Sequence, residues 1–187
     1  MNGMSVLRPN QRGKSNLGGV TKILVYTIDQ FTPDSVWPKR ADVATGKSTV
    51  VPPLLTTPVQ SAARIIIDLE TGARFKGTGT GPSTNKTYVH QLLDAKVAGY
   101  TAEQGVSLDS IYNMPVVIVC VLADGTRVVL GSTDKPLTIN DDSDSGAKSN
   151  DYKGVAITTE MTAPLDFRPV ILDSTVTLAE ATIPAYA

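Results

Sequence analysis

The segment that most restricts the fold is residues 116–122 (VVIVCVL), seven apolar residues without a break. Successive side chains of a strand alternate between two faces, so an unbroken apolar run describes a strand covered on both sides. Asp124-Gly125 follows as a hairpin turn signal, and residues 126–130 (TRVVL) read as the return strand. A chain built around such a hairpin must supply two covering layers. Cys120 sits between Val119 and Val121 in the run and reads as a small buried hydrophobe. A nucleophilic thiol would need an exposed, electropositive setting instead.

The rest of the chain has the composition such a core requires. Of 187 residues, 22 are threonine and 20 valine, both β-branched and suited to strands. The 15 glycines and 12 prolines are scattered as turn punctuation. The expected fold is mainly β with one short helix (α+β), a β-barrel or sandwich in a single domain over residues 20–169. Two arms are expected, 1–19 and 170–187, together with a Pro-rich insert at 29–61 and an acidic loop at 140–151 (NDDSDSGAKSND). The first arm carries Arg8, Arg12 and Lys14, no acid and no apolar stretch of the signal-peptide kind.

Along the chain, residues 20–28 (VTKILVYTI) read as a strand. Val20, Lys22, Leu24, Tyr26 and Ile28 would face one way and Ile23 and Val25 the other. The insert holds five prolines and the single tryptophan, Trp37, which reads as a packing anchor or an interface contact. Residues 63–78 read as a hairpin turning at Glu70-Thr71-Gly72, followed by a flexible glycine-rich loop over 77–85 (GTGTGPSTN). Residues 86–98 fit both a helical repeat (Val89, Leu93, Val97) and strand alternation, and are read as a strand. Thr101 and Gln104 form a capping box for a helix over about 102–112, with Val106, Ile111 and Tyr112 facing inward. Further strands are expected at 154–162, 169–172 and 174–178.

Composition excludes many functions. Net charge is -1 and the pI about 5.8, so no general electrostatic hold on nucleic acid is expected. One cysteine and one histidine, His90, rule out a disulfide framework within the chain, a cysteine-based zinc site and any two-histidine mechanism. No apolar window is long enough for a transmembrane helix. Ala44-Thr45-Gly46-Lys47-Ser48 resembles the end of a phosphate-binding loop, but position 41 is Ala41 rather than glycine, and Pro52-Pro53 follows where a helix is needed. Residues 141–146 (DDSDSG) resemble the start of a calcium loop, yet its closing position falls on Tyr152 instead of glutamate. No nucleophile elbow or forced carboxylate pair is present. The expectation is a non-enzymatic protein with no cofactor and no metal, in which His90 is a hydrogen-bonded structural residue.

Four segments carry a family resemblance: Pro115 to Val119 (PVVIV), Ala123 to Arg127 (ADGTR), Val129 to Ser132 (VLGS) and Gly154 to Thr158 (GVAIT). With a strand and short helix before them, they resemble over residues 86–162 the tail tube-like proteins of tailed bacteriophages, especially those of Bacteroidetes. The insert and arms lie outside that pattern and suggest a specialised tail ring or adaptor of a crAss-like phage. The resemblance implies a β-barrel with a flanking helix, assembled in the host cytoplasm into a homo-oligomeric ring of the virion tail whose inner sheet runs on between subunits. Implied partners are copies of the chain and neighbouring tail or connector proteins, with genome DNA passing through unbound and no membrane. A near-neutral subunit suits such a conduit, since a strongly basic lumen would retard phosphates. Val6, Leu7, Trp37 and Ile183 are the expected intersubunit contacts. The alternative class is a secreted or cell-surface β-sandwich binding or adhesion module.

Overall fold

The computed structural model describes residues 19–43, 46–67, 73–82, 85–99, 101–145 and 153–181. In chain order its strands are β1 (Val20–Thr27), β2 (Ala63–Ile66), β3 (Arg74–Thr80), β4 (Thr87–Leu93) and β5 (Ala95–Ala98). The helix α1 (Ala102–Asp109) is followed by β6 (Pro115–Leu122), β7 (Arg127–Leu130), β8 (Leu137–Asp144), β9 (Gly154–Met161) and β10 (Val170–Leu172). The chain is mainly β, a curled antiparallel sheet with a two-stranded sheet beside it and a hydrophobic cluster on each face. No helix among the described residues is long and apolar enough to cross a membrane.

The apolar run becomes β6, at the centre. Val116 through Cys120 are wholly buried. One edge of β6 pairs with β1 in a long antiparallel ladder. Its other edge is shared by β7 along Ile118–Val121 and β8 at Pro115 and Val116. Gly131, at φ 77°, turns the chain between these two partners, a conformation open chiefly to glycine. The inward row of β6 (Val116, Ile118, Cys120) packs with Ile23, Leu92, Ala95, Ile139 and Ile157. The outward row (Val117, Val119) packs with Leu24, Tyr26, Val129 and Phe167. A bulge between Val20 and Lys22 moves Val20 to the inner row, off the face that strict alternation assigns it.

The insert supplies the second covering layer. Phe31 and Trp37 stack at 5.9 Å over the outward row, and the Trp37 indole Nε1 donates to the Val50 carbonyl at 3.0 Å. Thr133 ties the layer to the sheet. Its hydroxyl donates to the Ser35 carbonyl at 2.7 Å and accepts from the Trp37 amide at 3.0 Å. Phe31, Trp37, Val43 and Leu54 of the insert thus cover the outward row of β1 and β6. The C-terminal segment behaves likewise as far as residue 181. β10 pairs with β7, Lys22 meets Glu180 at 2.8 Å, and the Tyr26 hydroxyl donates to the Ala179 carbonyl at 3.1 Å. Residues 174–178 form no strand; Asp173 turns the chain there by accepting from the Thr175 amide and hydroxyl.

The expected 63–78 hairpin is absent. β2 pairs with β1 and β3 with β4, so the two halves belong to different sheets. The turn at 70–72 lies outside the described residues. The helix keeps its capping box, the Gln104 amide donating to Thr101 Oγ1 at 3.2 Å and the Thr101 amide to Gln104 Oε1 at 2.9 Å. It ends at Asp109, and only Ile111 of the three expected inward residues is buried, Val106 being 71% and Tyr112 52% exposed. The short, weakly amphipathic helix rests on the core through Leu108 and Ile111.

Candidate interaction site: two open sheet edges

β3 begins as Arg74-Phe75-Lys76 and continues as Gly-Thr-Gly-Thr. Glycine-rich segments make poor strands alone, and the 77–85 stretch reads as a loop from sequence. Two distant side chains explain why its first half is a strand. A Cβ on Gly77 would stand 2.7 Å from the Pro169 ring, and one on Gly79 would stand 2.7 Å from the Tyr88 ring. The glycines leave room for those rings, and the β4 ladder holds the backbone in register from Arg74↔Leu93 to Thr80↔Thr87. On its other edge β3 has no ladder partner among the described residues.

A groove of about 580 Å³ runs beside this strand, lined by Phe75, Gly77, Gly79, Tyr88, Pro169 and Ile171 among others. Its charged lining residues are Lys86 and Arg168, with no carboxylate. The Arg168 guanidinium lies 5.6 Å from the Tyr88 ring centroid, and its Nε donates to the Tyr88 hydroxyl at 3.4 Å. That hydrogen bond and the nearby cations hold the Tyr88 hydroxyl below the usual tyrosine range.

The second open edge belongs to β8. It pairs with β9 over its whole length but touches β6 only at Leu137 and Thr138. Residues 139–143 therefore have no ladder partner on that side among the described residues. This stretch carries Asp141 and Asp142. It is part of the expected acidic loop, and residues 146–151 of that loop lie outside the described residues. Its aspartates alternate along a strand instead of converging, so they form no calcium loop. Among the described residues no cluster of acids, histidines or cysteines is arranged to hold a metal.

The two edges belong to neighbouring sheets. β8 pairs with β9 and β9 with β5. At Asp94, with φ 59°, the chain bends, so the expected single strand over 86–98 is two, β4 and β5. Beyond the bend β4 stays beside β9 through side chains: the Leu92 amide donates to Thr159 Oγ1 at 2.8 Å and the His90 amide to the Met161 sulfur at 3.5 Å. β3 then pairs with β4. The order β8–β9–β5/β4–β3 is antiparallel at every ladder, which makes the two outer strands run in opposite directions.

The chemistry-bearing residues are occupied elsewhere. His90 is wholly buried, its Nδ1 accepting from the Gly131 amide at 3.1 Å and its Nε2 facing the Phe167 carbonyl at 3.0 Å. With Nδ1 an acceptor, Nε2 carries the proton and the ring is neutral. Burial pushes its pKa below the usual histidine range, outweighing the Phe167 carbonyl that raises it. Burial likewise pushes the Cys120 thiol up, away from thiolate chemistry. Gly46 and Ser48 of the phosphate-loop look-alike open no helix; Ser48 bridges β10, its amide donating to the Ile171 carbonyl at 2.8 Å. Of the four expected contact residues, Trp37 is wholly buried in the core of its own chain. Val6, Leu7 and Ile183 lie outside the described residues. Sequence reasoning placed the start of β3, up to Lys76, in a strand but missed its second half; threonines at every second position (Thr78, Thr80) were the available signal.

No family model matches the chain, and no curated protein or solved structure matches it.

Proposed function

We propose that the chain is a structural subunit of a phage tail, a tail tube or tail ring protein whose copies close into a ring around the DNA path. One observation carries this reading beyond the resemblance at 115–158: among the described residues two strands lack a ladder partner on one side, β3 of the two-stranded sheet and residues 139–143 of β8 in the larger sheet, and the β3–β4 pair lies beside β9. Soluble proteins normally cover or block such edges, because exposed backbone donors and acceptors recruit other strands. Here the edges run in opposite directions, so rotating one copy about an axis roughly along the strands sets β8 antiparallel to β3 of the next. Repeating the operation gives a head-to-tail contact that closes when the angle divides a full turn.

In this reading the protein is not an enzyme, and His90 and Cys120 serve the core. Its partners are its own copies and the adjoining tail or connector proteins, and its place is the virion. Sedimentation velocity combined with electron microscopy tests it. A single closed species of several copies is expected at micromolar concentration, seen end-on as a ring. A monomer at every concentration contradicts it.

A further inference from the structure

We infer that the groove beside β3 is a receptor for the acidic edge of β8 from the next copy, and that charge sets which edges pair; this rests on the ring reading above. The outward row of β3 holds Lys76, Thr78 and Thr80, and its groove face adds Lys86 and Arg168. By alternation, β8 places Leu137, Ile139 and Asp141 on its inward row and Thr138, Asn140 and Asp142 on its outward row. Joined antiparallel, β8 of one copy and β3 of the next share two faces. Asp141 then lies on the side of Lys86 and Arg168, and Asp142 on the side of Lys76.

The same charges reject the competing assemblies. Pairing β3 with β3 would bring Lys76, Lys86 and Arg168 against their own copies, and pairing β8 with β8 would oppose the aspartates. Like charges across a ladder are unfavourable, and opposite charges stabilise it. Two-fold dimers are disfavoured on both edges, which leaves the head-to-tail contact that generates a ring. The groove supplies the remaining fit. Phe75, Pro169 and Ile171 line it with apolar surface. Since the paired charges are at least partly solvated, the contact weakens as salt rises.

Disulfide trapping between two single-site variants tests the pairing. Thr78→Cys is mixed in turn with Asn140→Cys, Asp141→Cys, Asp142→Cys or Ser143→Cys, each otherwise wild type; buried Cys120 does not react. Crosslinked dimers are expected with Asn140→Cys or Asp142→Cys, which share the outward row of Thr78, and not with Asp141→Cys or Ser143→Cys. A charge swap gives a second readout. Lys86→Glu with Arg168→Glu, or Asp141→Lys with Asp142→Lys, should raise the concentration needed for assembly by about tenfold. All four changes in one chain should bring it back. Rings that form without these crosslinks, or crosslinks with no alternation, overturn the pairing while the ring stands. A chain that stays monomeric throughout overturns both.

Discussion

His90 stands where three segments meet: β4 carries it, Gly131 donates to one ring nitrogen and Phe167 accepts from the other. Both bonds need the neutral ring, because a proton on Nδ1 would face a donor. The folded pKa lies below the unfolded value of about 6.5. Below that value the unfolded chain takes up a proton that the folded chain refuses, so stability falls as pH drops through the window under 6.5 and levels off below the folded pKa. Urea midpoints measured from pH 8 to pH 5 should show this decline. His90→Gln, which keeps a donor and an acceptor, should flatten it; an unchanged slope would remove His90 as its source. Trp37 belongs to the same scale. It is wholly buried and donates to the Val50 carbonyl, so Trp37→Ala should cost about 3–5 kcal/mol in denaturant unfolding of the isolated subunit. A loss confined to assembly would return it to the role of a neighbour contact.

Among the elements, two glycines give opposite expectations. Gly105 lies inside α1 with open space where a Cβ would go, so Gly105→Ala should stabilise by about 0.5–1 kcal/mol. Gly77→Ala drives a methyl against the Pro169 ring and should destabilise by about 1–3 kcal/mol. Thermal melts of the two variants separate the cases. The contrast also shows which elements the sequence makes legible. β6 is legible because burial on both faces leaves only apolar residues, and the start of α1 because Thr101 and Gln104 cap each other three residues apart. β3 is not, since its glycines are explained by Tyr88 and Pro169, the latter 92 positions beyond Gly77 in the chain. The false 63–78 hairpin has the same origin: turn chemistry marks where a chain bends, while the partners of β2 and β3 are chosen by the curl of the whole sheet.

At the scale of the molecule, residues of the insert and of the segment from Leu165 to Leu178 close the outward face of β1, β6 and β7. The aspartates of β8 were visible in sequence as an acidic stretch and the cations of the groove as scattered Lys86 and Arg168. That they lie at strand edges in two neighbouring sheets is a property of strand order, which local pattern does not encode. In the ring reading proposed above, bonding capacity is concentrated at the two strand edges that have no ladder partner among the described residues. Hydrogen exchange on the assembled protein, set against a dilute monomer, tests this most directly. Pairing of β3 with β8 predicts that alternate amides within 74–80 and 139–143 slow on assembly, together and by similar factors, while those of β6 stay slow in both states. Oligomers in which both stretches exchange as fast as in the monomer would contradict it.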